Sequence, residues 1–285
     1  MVGAELLKIR KRRLTWVVFG VLVAIMAFFY IPLRLIMRAS ESARPSMAGV
    51  SQFEMFNQSM QFPQGYGALS TLGVQTGQWL LVVLVAGLVG SEYGWGTLRL
   101  VLARGPSRAG FMLAQLIAVV VALIVGTLAM LVVGAIIMPL GDLAVGTLDP
   151  VFPDGFVSAL ALDWLRTTGA LLIYVGMAFA AAGLTRSNGA GLGVGLVIIF
   201  LESILTPIFS SLGGFWGDVT RFFPVNLVRA VQSANELSPG RFAPRSPVEF
   251  LDPWVAGLVL AAYFAVLVGG TIWVFNRRDI LGRMS

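Results

Sequence analysis

Among the residues of this 285-residue chain that could do chemistry, Glu202 stands apart as a formal charge well inside the apolar run 189–212. A carboxylate in hydrocarbon must face a bundle interior, a partner group or a water-filled cavity. There it serves either as a proton or ion site or as a structural contact with Ser203, Thr206 or another helix. Thr206-Pro207 beside it predicts a kink that would open backbone groups toward a pathway. Little else supports catalysis. With no Cys and no His, thiolate and Ser-His chemistry, His-based metal sites and most proton shuttles are removed. Asp142, Asp149, Asp154 and Asp163 are dispersed and read as solvated outer-loop charge rather than a metal site. The only lysines, Lys8 and Lys11, lie outside any phosphate loop, and the stretch Gly189 to Gly195 misses the dinucleotide register and sits in an apolar run. The expectation is a non-catalytic chain with no metal or cofactor of its own.

The elements that must position these residues are set by composition. Hydrophobic residues make up 57 % of the chain and charged residues 12 %, whereas about a quarter of a soluble domain is charged. The pattern predicts an all-α integral membrane protein, one bundle over residues 1–285, with spans at about 14–36, 71–90, 111–138, 164–184, 189–212 and 254–275. The run from Leu14 to Leu33 is too long for the apolar part of a signal peptide, so it reads as an uncleaved first helix. The third span should tilt or project beyond the membrane and end at Ile137-Met138-Pro139.

The net charge of +6 is interleaved with apolar runs, which points to topology rather than nucleic acid. With the N-terminus in the cytoplasm, the inner segments hold twelve of the twenty basic residues and three acidic ones, a net of +9, against −2 for the outer segments. The positive-inside rule then predicts a multi-pass protein of the cell membrane with both termini cytoplasmic. The outer connections (37–70, 139–163, 213–253) are long. In the last, Phe222-Phe223-Pro224 leads into apolar residues at helical spacing up to Gln232, an interfacial or re-entrant helix or an ordinary surface helix. Gly73 and Gly77, and Gly191 and Gly195, make small-residue spacings suited to close helix packing within one bundle or at a dimer seam.

The segment 91–108 is built differently from a tether. Thr97 to Ala103 is a short helical run with Leu98, Val101 and Leu102 on one face, bounded by glycines before it and Gly105-Pro106 after it. It reads as a rigid cytoplasmic element between two spans, or as a loop whose arginines set orientation.

Glu92-Tyr93, Gly96-Thr97-Leu98, Leu102 and Pro106-Ser107-Arg108 leading into Phe111 resemble the membrane subunits of the ABC-2 type permease family. The basic start from Glu5 to Arg13, Phe223-Pro224, and the ending Val274 to Ile280 support the resemblance, while Gln115 stands where many relatives have lysine. The resemblance implies the permease subunit of an ATP-driven ABC exporter, prokaryotic, paired as a homodimer or heterodimer, with ATP and Mg on a separate ATP-binding subunit. It further implies that 91–108 is a coupling helix, with Glu92, Tyr93, Gly96, Thr97, Leu98, Arg99 and Arg108 as ATPase contacts. The N-terminal amphipathic helix would lie on the inner membrane face. There Lys8, Arg10, Lys11, Arg12 and Arg13 would face anionic lipid, each contributing about 1 kcal/mol. The competing readings are an ion-coupled secondary carrier using Glu202 and a non-transporting membrane assembly or sensor subunit.

Overall fold

The computed structural model describes residues 1–42, 60–62, 65–94, 107–146, 152, 154–235 and 250–277. These form α1 (Val2–Lys11), α2 (Arg13–Ser42), α3 (Gly65–Gly94), α4 (Arg108–Val145), α5 (Phe156–Thr185), α6 (Asn188–Leu212), α7 (Gly214–Thr220), α8 (Pro224–Gln232) and α9 (Pro253–Arg277). Six of them, α2 to α6 and α9, are long and apolar enough to cross a membrane. They alternate in direction. Leu14 meets Gly87, Asn188 meets Gly90, and Met112 and Thr271 meet Gly183, so the starts of α2, α4 and α6 share one end with the finishes of α3, α5 and α9. We call this the α1 end. Apolar side chains such as Phe28, Val125, Val132, Phe200 and Val266 point outward, as expected where lipid replaces water as solvent.

The central element is α5. Its stretch from Ala170 to Ala182 contributes Tyr174, Phe179 and neighbours to a core shared with α3, α4, α6, α8 and α9. Only two residues, Arg186 and Ser187, join α5 to α6. Arg186 takes a left-handed conformation (φ 55°), and the Ser187 hydroxyl accepts from Ala190 N at 3.3 Å to start α6. Where α6 crosses α5 and α3, a Cβ on Gly191 would stand 2.6 Å from Ala182 Cα, and one on Gly195 would stand 2.6 Å from Val82 Cγ1. That glycine pair packs within the bundle. Gly73 and Gly77 do not: Gly73 has one side-chain atom near its Cβ position, Met26 Cε at 3.9 Å, and Gly77 has nothing within 4 Å.

Several helix limits differ from the sequence reading. α2 runs on to Ser42, α3 starts at Gly65, α5 starts at Phe156, and α4 continues through Pro139 to Val145. Proline inside a helix loses one hydrogen bond at a cost of about 3 kcal/mol. Here Ile137, Met138, Gly141 and Asp142 are all buried, so packing on both sides of Pro139 outweighs the local preference. At 38 residues, α4 is about 57 Å long at 1.5 Å per residue, well beyond a ~30 Å hydrocarbon core. α6 likewise runs through Pro207 to Leu212. The helix anticipated after Pro224 exists as α8, but six of its nine residues are buried. It is part of the bundle, packed on α9 and α5.

Candidate functional site

At the α1 end, Glu92 sits in the last turn of α3 and is buried. Lys8 Nζ reaches its Oε1 at 3.1 Å, and Arg12 NH2 lies 3.6 Å from the same oxygen. Lys8 also binds Glu5 at 2.7 Å, one turn earlier on α1. Arg12 NH1 donates to Ser91 Oγ at 2.7 Å and to the Gly87 carbonyl at 3.1 Å, which ties the end of α1 to the last two turns of α3. Burial alone would lower the Lys8 pKa, but hydrogen bonds and attraction from Glu5 and Glu92 carry it above the usual lysine value. Leu88, Gln115, Ala118 and Val119 complete the surroundings of this cluster, so α1, α3 and the start of α4 converge on it.

Two groups of residues named from the sequence take partners within the chain. Lys8 and Arg12 were expected to face lipid with the rest of the basic run, yet they turn inward to Glu92, while Arg10, Lys11 and Arg13 stay exposed. Glu92, read as a contact for a soluble partner, is already engaged by α1. The cause is local geometry: Glu5, Lys8 and Ile9 recur at three- and four-residue spacing on one face of α1, Ile9 is buried, and Arg12 follows as the extended residue that caps the helix. Arg108 opens α4, behind the Ser107 cap that accepts from Gly110 N at 3.1 Å. Tyr93 lies in the last turn of α3. Gly96, Thr97, Leu98 and Arg99 lie outside the described residues.

Between α2, α3, α4 and α5 the bundle holds a cavity of about 190 Å³. Its walls run along α3 from Tyr66 to Leu84, roughly 27 Å of helix, and are largely Leu, Val, Met and Gly. Gly73, Gly77, Gly126 and Gly134 line it, so the small residues of α3 border open space rather than a neighbouring helix. One stretch of wall is polar. Trp164 Nε1 donates to Thr127 Oγ1 at 3.0 Å, Thr127 and Thr168 share a hydrogen bond of 3.1 Å, and Asp163 and Thr167 also line the space.

Asp163 is therefore not a solvated loop charge; it is a buried residue of α5, 3.8 Å from Arg166. Asp142 departs further from that reading. It is 0 % exposed, and its Oδ1 accepts from Arg34 Nε at 2.9 Å and lies 2.8 Å from Arg34 NH2. Its Oδ2 accepts from Phe62 N at 2.8 Å. Next to this pair, the Tyr30 hydroxyl donates to the Met60 carbonyl at 2.9 Å. Arg34, Tyr30 and Asp142 thus tie α2, α4 and the 60–62 turn together at the end opposite α1. Asp154 is exposed, and Asp149 lies outside the described residues.

Glu202 also finds a partner. Its Oε2 accepts from Val225 N at 3.1 Å, placing a carboxylate at the N-terminus of α8, where unpaired amides and the helix dipole favour negative charge. Asn226 follows, donating to the Thr220 carbonyl at 2.8 Å and to Thr206 Oγ1 at 3.5 Å. Ser203 is exposed and bonds within its own helix. The sequence signal for α8 was its helical spacing, whereas nothing in it marks Glu202 as the group that receives its first turn.

Six helices of membrane-spanning length among the described residues, with an apolar exterior, define this as a polytopic α-helical membrane protein. The chain belongs to the family described as protein of unknown function (DUF2705), whose model matches residues 21–281. It is also similar to the uncharacterized protein YhcI of Bacillus subtilis (strain 168), at 24 % identity over 212 residues. That match covers 70 % of this chain and 63 % of YhcI's own length.

Proposed function

We propose that this chain is the membrane-spanning permease subunit of an ATP-driven ABC exporter, with its cargo path through the bundle and its energy supplied by a separate ATP-binding subunit. The observation that carries the reading is the clamp at the α1 end: Lys8 and Arg12 hold Glu92, three residues ahead of the segment 95–106. A push on that segment from a soluble partner would be passed directly to α3 and α4, the two helices it joins. Both are walls of the cavity, and α1 would move with α3. Both termini would then face the cytoplasm, as the charge asymmetry requires, and two such bundles would form the complete pathway. ATP and Mg would reside on the partner, because this chain has no phosphate loop.

The test is co-expression with ATP-binding subunits encoded beside the gene, followed by co-purification and ATPase measurement in vesicles. A stable complex whose ATPase falls several-fold with Leu98→Asp or Arg108→Ala is expected. If no ATP-binding partner associates, or all such substitutions leave coupling intact, the reading is wrong. The ion-coupled carrier makes the opposite demand, transport without an ATPase that collapses on Glu202→Gln. The bond from Val225 N to Glu202 supports a structural role for that carboxylate, and Glu202→Gln is expected to leave ATP-driven transport within about twofold of the parent.

A further inference from the structure

We infer that the cavity between α2, α3, α4 and α5 holds one straight acyl chain of a bilayer phospholipid. Shape and surroundings both point there. The space follows α3 from Tyr66 to Leu84, roughly 27 Å of helix, whereas a hydrocarbon core of ~30 Å gives the chains of each leaflet about 15 Å. A chain therefore fits lengthwise. The width is set by glycine on two of the walls: a Cβ on Gly77 of α3 or on Gly126 of α4 would meet no atom within 4 Å. Glycine weakens a helix interior, and at these two positions no neighbouring helix uses the close approach that glycine permits. What it preserves is the opening.

Along the wall, Thr15 donates to the Ile9 carbonyl at 2.8 Å, Trp164 donates to Thr127 at 3.0 Å, Thr167 accepts from Asn235 at 3.4 Å, and Asp163 has partners within the chain. These polar groups are already engaged by the protein. Most of the remaining wall is Leu, Val, Met and Gly. Apolar cavities of around 150 Å³ stay dry and take up small hydrocarbons, and a space of about 190 Å³ left empty would forfeit packing on every side. One wall is α2, the least enclosed of the six long helices, whose outward face carries Val21 and Phe28. Lipid chains are thus the apolar molecules nearest to the space. Binding does not require an ATPase; as a statement about cargo it rests on the permease reading and names straight-chain lipids as the class.

The experiment is photolabelling of the full chain in phosphatidylcholine nanodiscs containing a trace of the same lipid with a diazirine at mid-chain, the labelled residues being located by tandem mass spectrometry. Label is expected on two faces of α4: on Val125 and Val132, which point outward, and on Leu123 and Met130, which line the cavity. Hexadecane should displace the lining label, and cholesterol, whose fused rings are broader than a single chain, should not. Gly77→Leu combined with Gly126→Leu should lower the lining label several-fold while the outward label holds. No label on the lining, no displacement by hexadecane, equal displacement by cholesterol, or an unchanged lining-to-outward ratio in the glycine variant would overturn the inference. Should the glycine variant fail to fold, the parent's lining label and its response to the two competitors decide the matter. If the lining is labelled but no ATP-binding subunit associates, the permease reading fails and the site stands; an active complex whose lining stays unlabelled has the reverse meaning.

Discussion

The two ends of the bundle each bury a carboxylate, and they treat it differently. Asp142 is sealed between α2 and α4, with Arg34 on one oxygen and Phe62 N on the other, and Arg34 is itself 1 % exposed. Glu92 is held by Lys8 of α1 and by Arg12 just after it, and Lys8 keeps 37 % of its side chain open to solvent. A fully buried ion pair has little freedom to rearrange, and removing one of its members is strongly destabilising. At the α1 end it is the solvent-reaching Lys8 that lets the contact with Glu92 loosen and readmit water. The end opposite α1 is thus built as a fixed joint and the α1 end as an adjustable one, which suits the end expected to receive force from a partner.

Substitutions can break this contrast. Asp142→Ala carries the largest expected effect, a loss of about 3–5 kcal/mol, read as denaturant or thermal unfolding in detergent. The double variant Arg34→Met with Asp142→Leu should be less damaging than Asp142→Ala, because both members of the buried ion pair are removed together. Glu202→Ala comes next at about 1.5–3 kcal/mol, the range for a hydrogen bond to a charged acceptor. Its damage should be local, seen as faster amide exchange over 224–232. Glu92→Ala is expected to cost about 1–2 kcal/mol, since water can solvate the freed Lys8. It should loosen α1 selectively, measured by proteolysis within residues 1–12. If Glu92→Ala proves as damaging as Asp142→Ala, the two ends are not mechanically different.

The smallest effect concerns pH. Lys8 has a folded pKa raised above 10.5, so its contribution is fully present below the unfolded value and is lost as pH rises through the folded one. α1 should therefore detach in alkali above about pH 10.5 before the bundle unfolds, and Glu92→Gln should lower the pH at which it does so. A detachment pH unaffected by Glu92→Gln would mean that Glu5 alone holds Lys8.

How much of this was legible in the sequence follows from what kind of signal each feature leaves. The six long helices are carried by continuous apolar runs, so their number and centres could be read directly. Their limits could not, because Gly65 to Ser70 and Phe156 to Asp163 are mixed in composition and become helical through tertiary packing. The pairing of Arg34 with Asp142 spans 108 residues, and that of Lys8 with Glu92 spans 84; no local pattern encodes either partner. The spacing of Glu5, Lys8 and Ile9 did mark one face of α1, but facing lipid and facing α3 look alike until the neighbour is known. Asp142 and Asp163 were misread for a related reason: a carboxylate beyond an apolar run looks solvated unless the helix is seen to continue.

The buried position of α5 has a consequence for biosynthesis. Of the six long helices it has the lowest hydropathy and is the most enclosed by protein, and it carries Asp163, Arg166 and Tyr174. Such a segment is a weak candidate for entering a bilayer alone, because its polar groups would meet lipid before they meet partners. The strongly apolar α4 leaves the ribosome just ahead of it and α6 follows after two residues. Translocation machinery would therefore meet α5 as the middle of a three-helix unit, and its retention in the membrane would depend on neighbours that arrive within seconds of it.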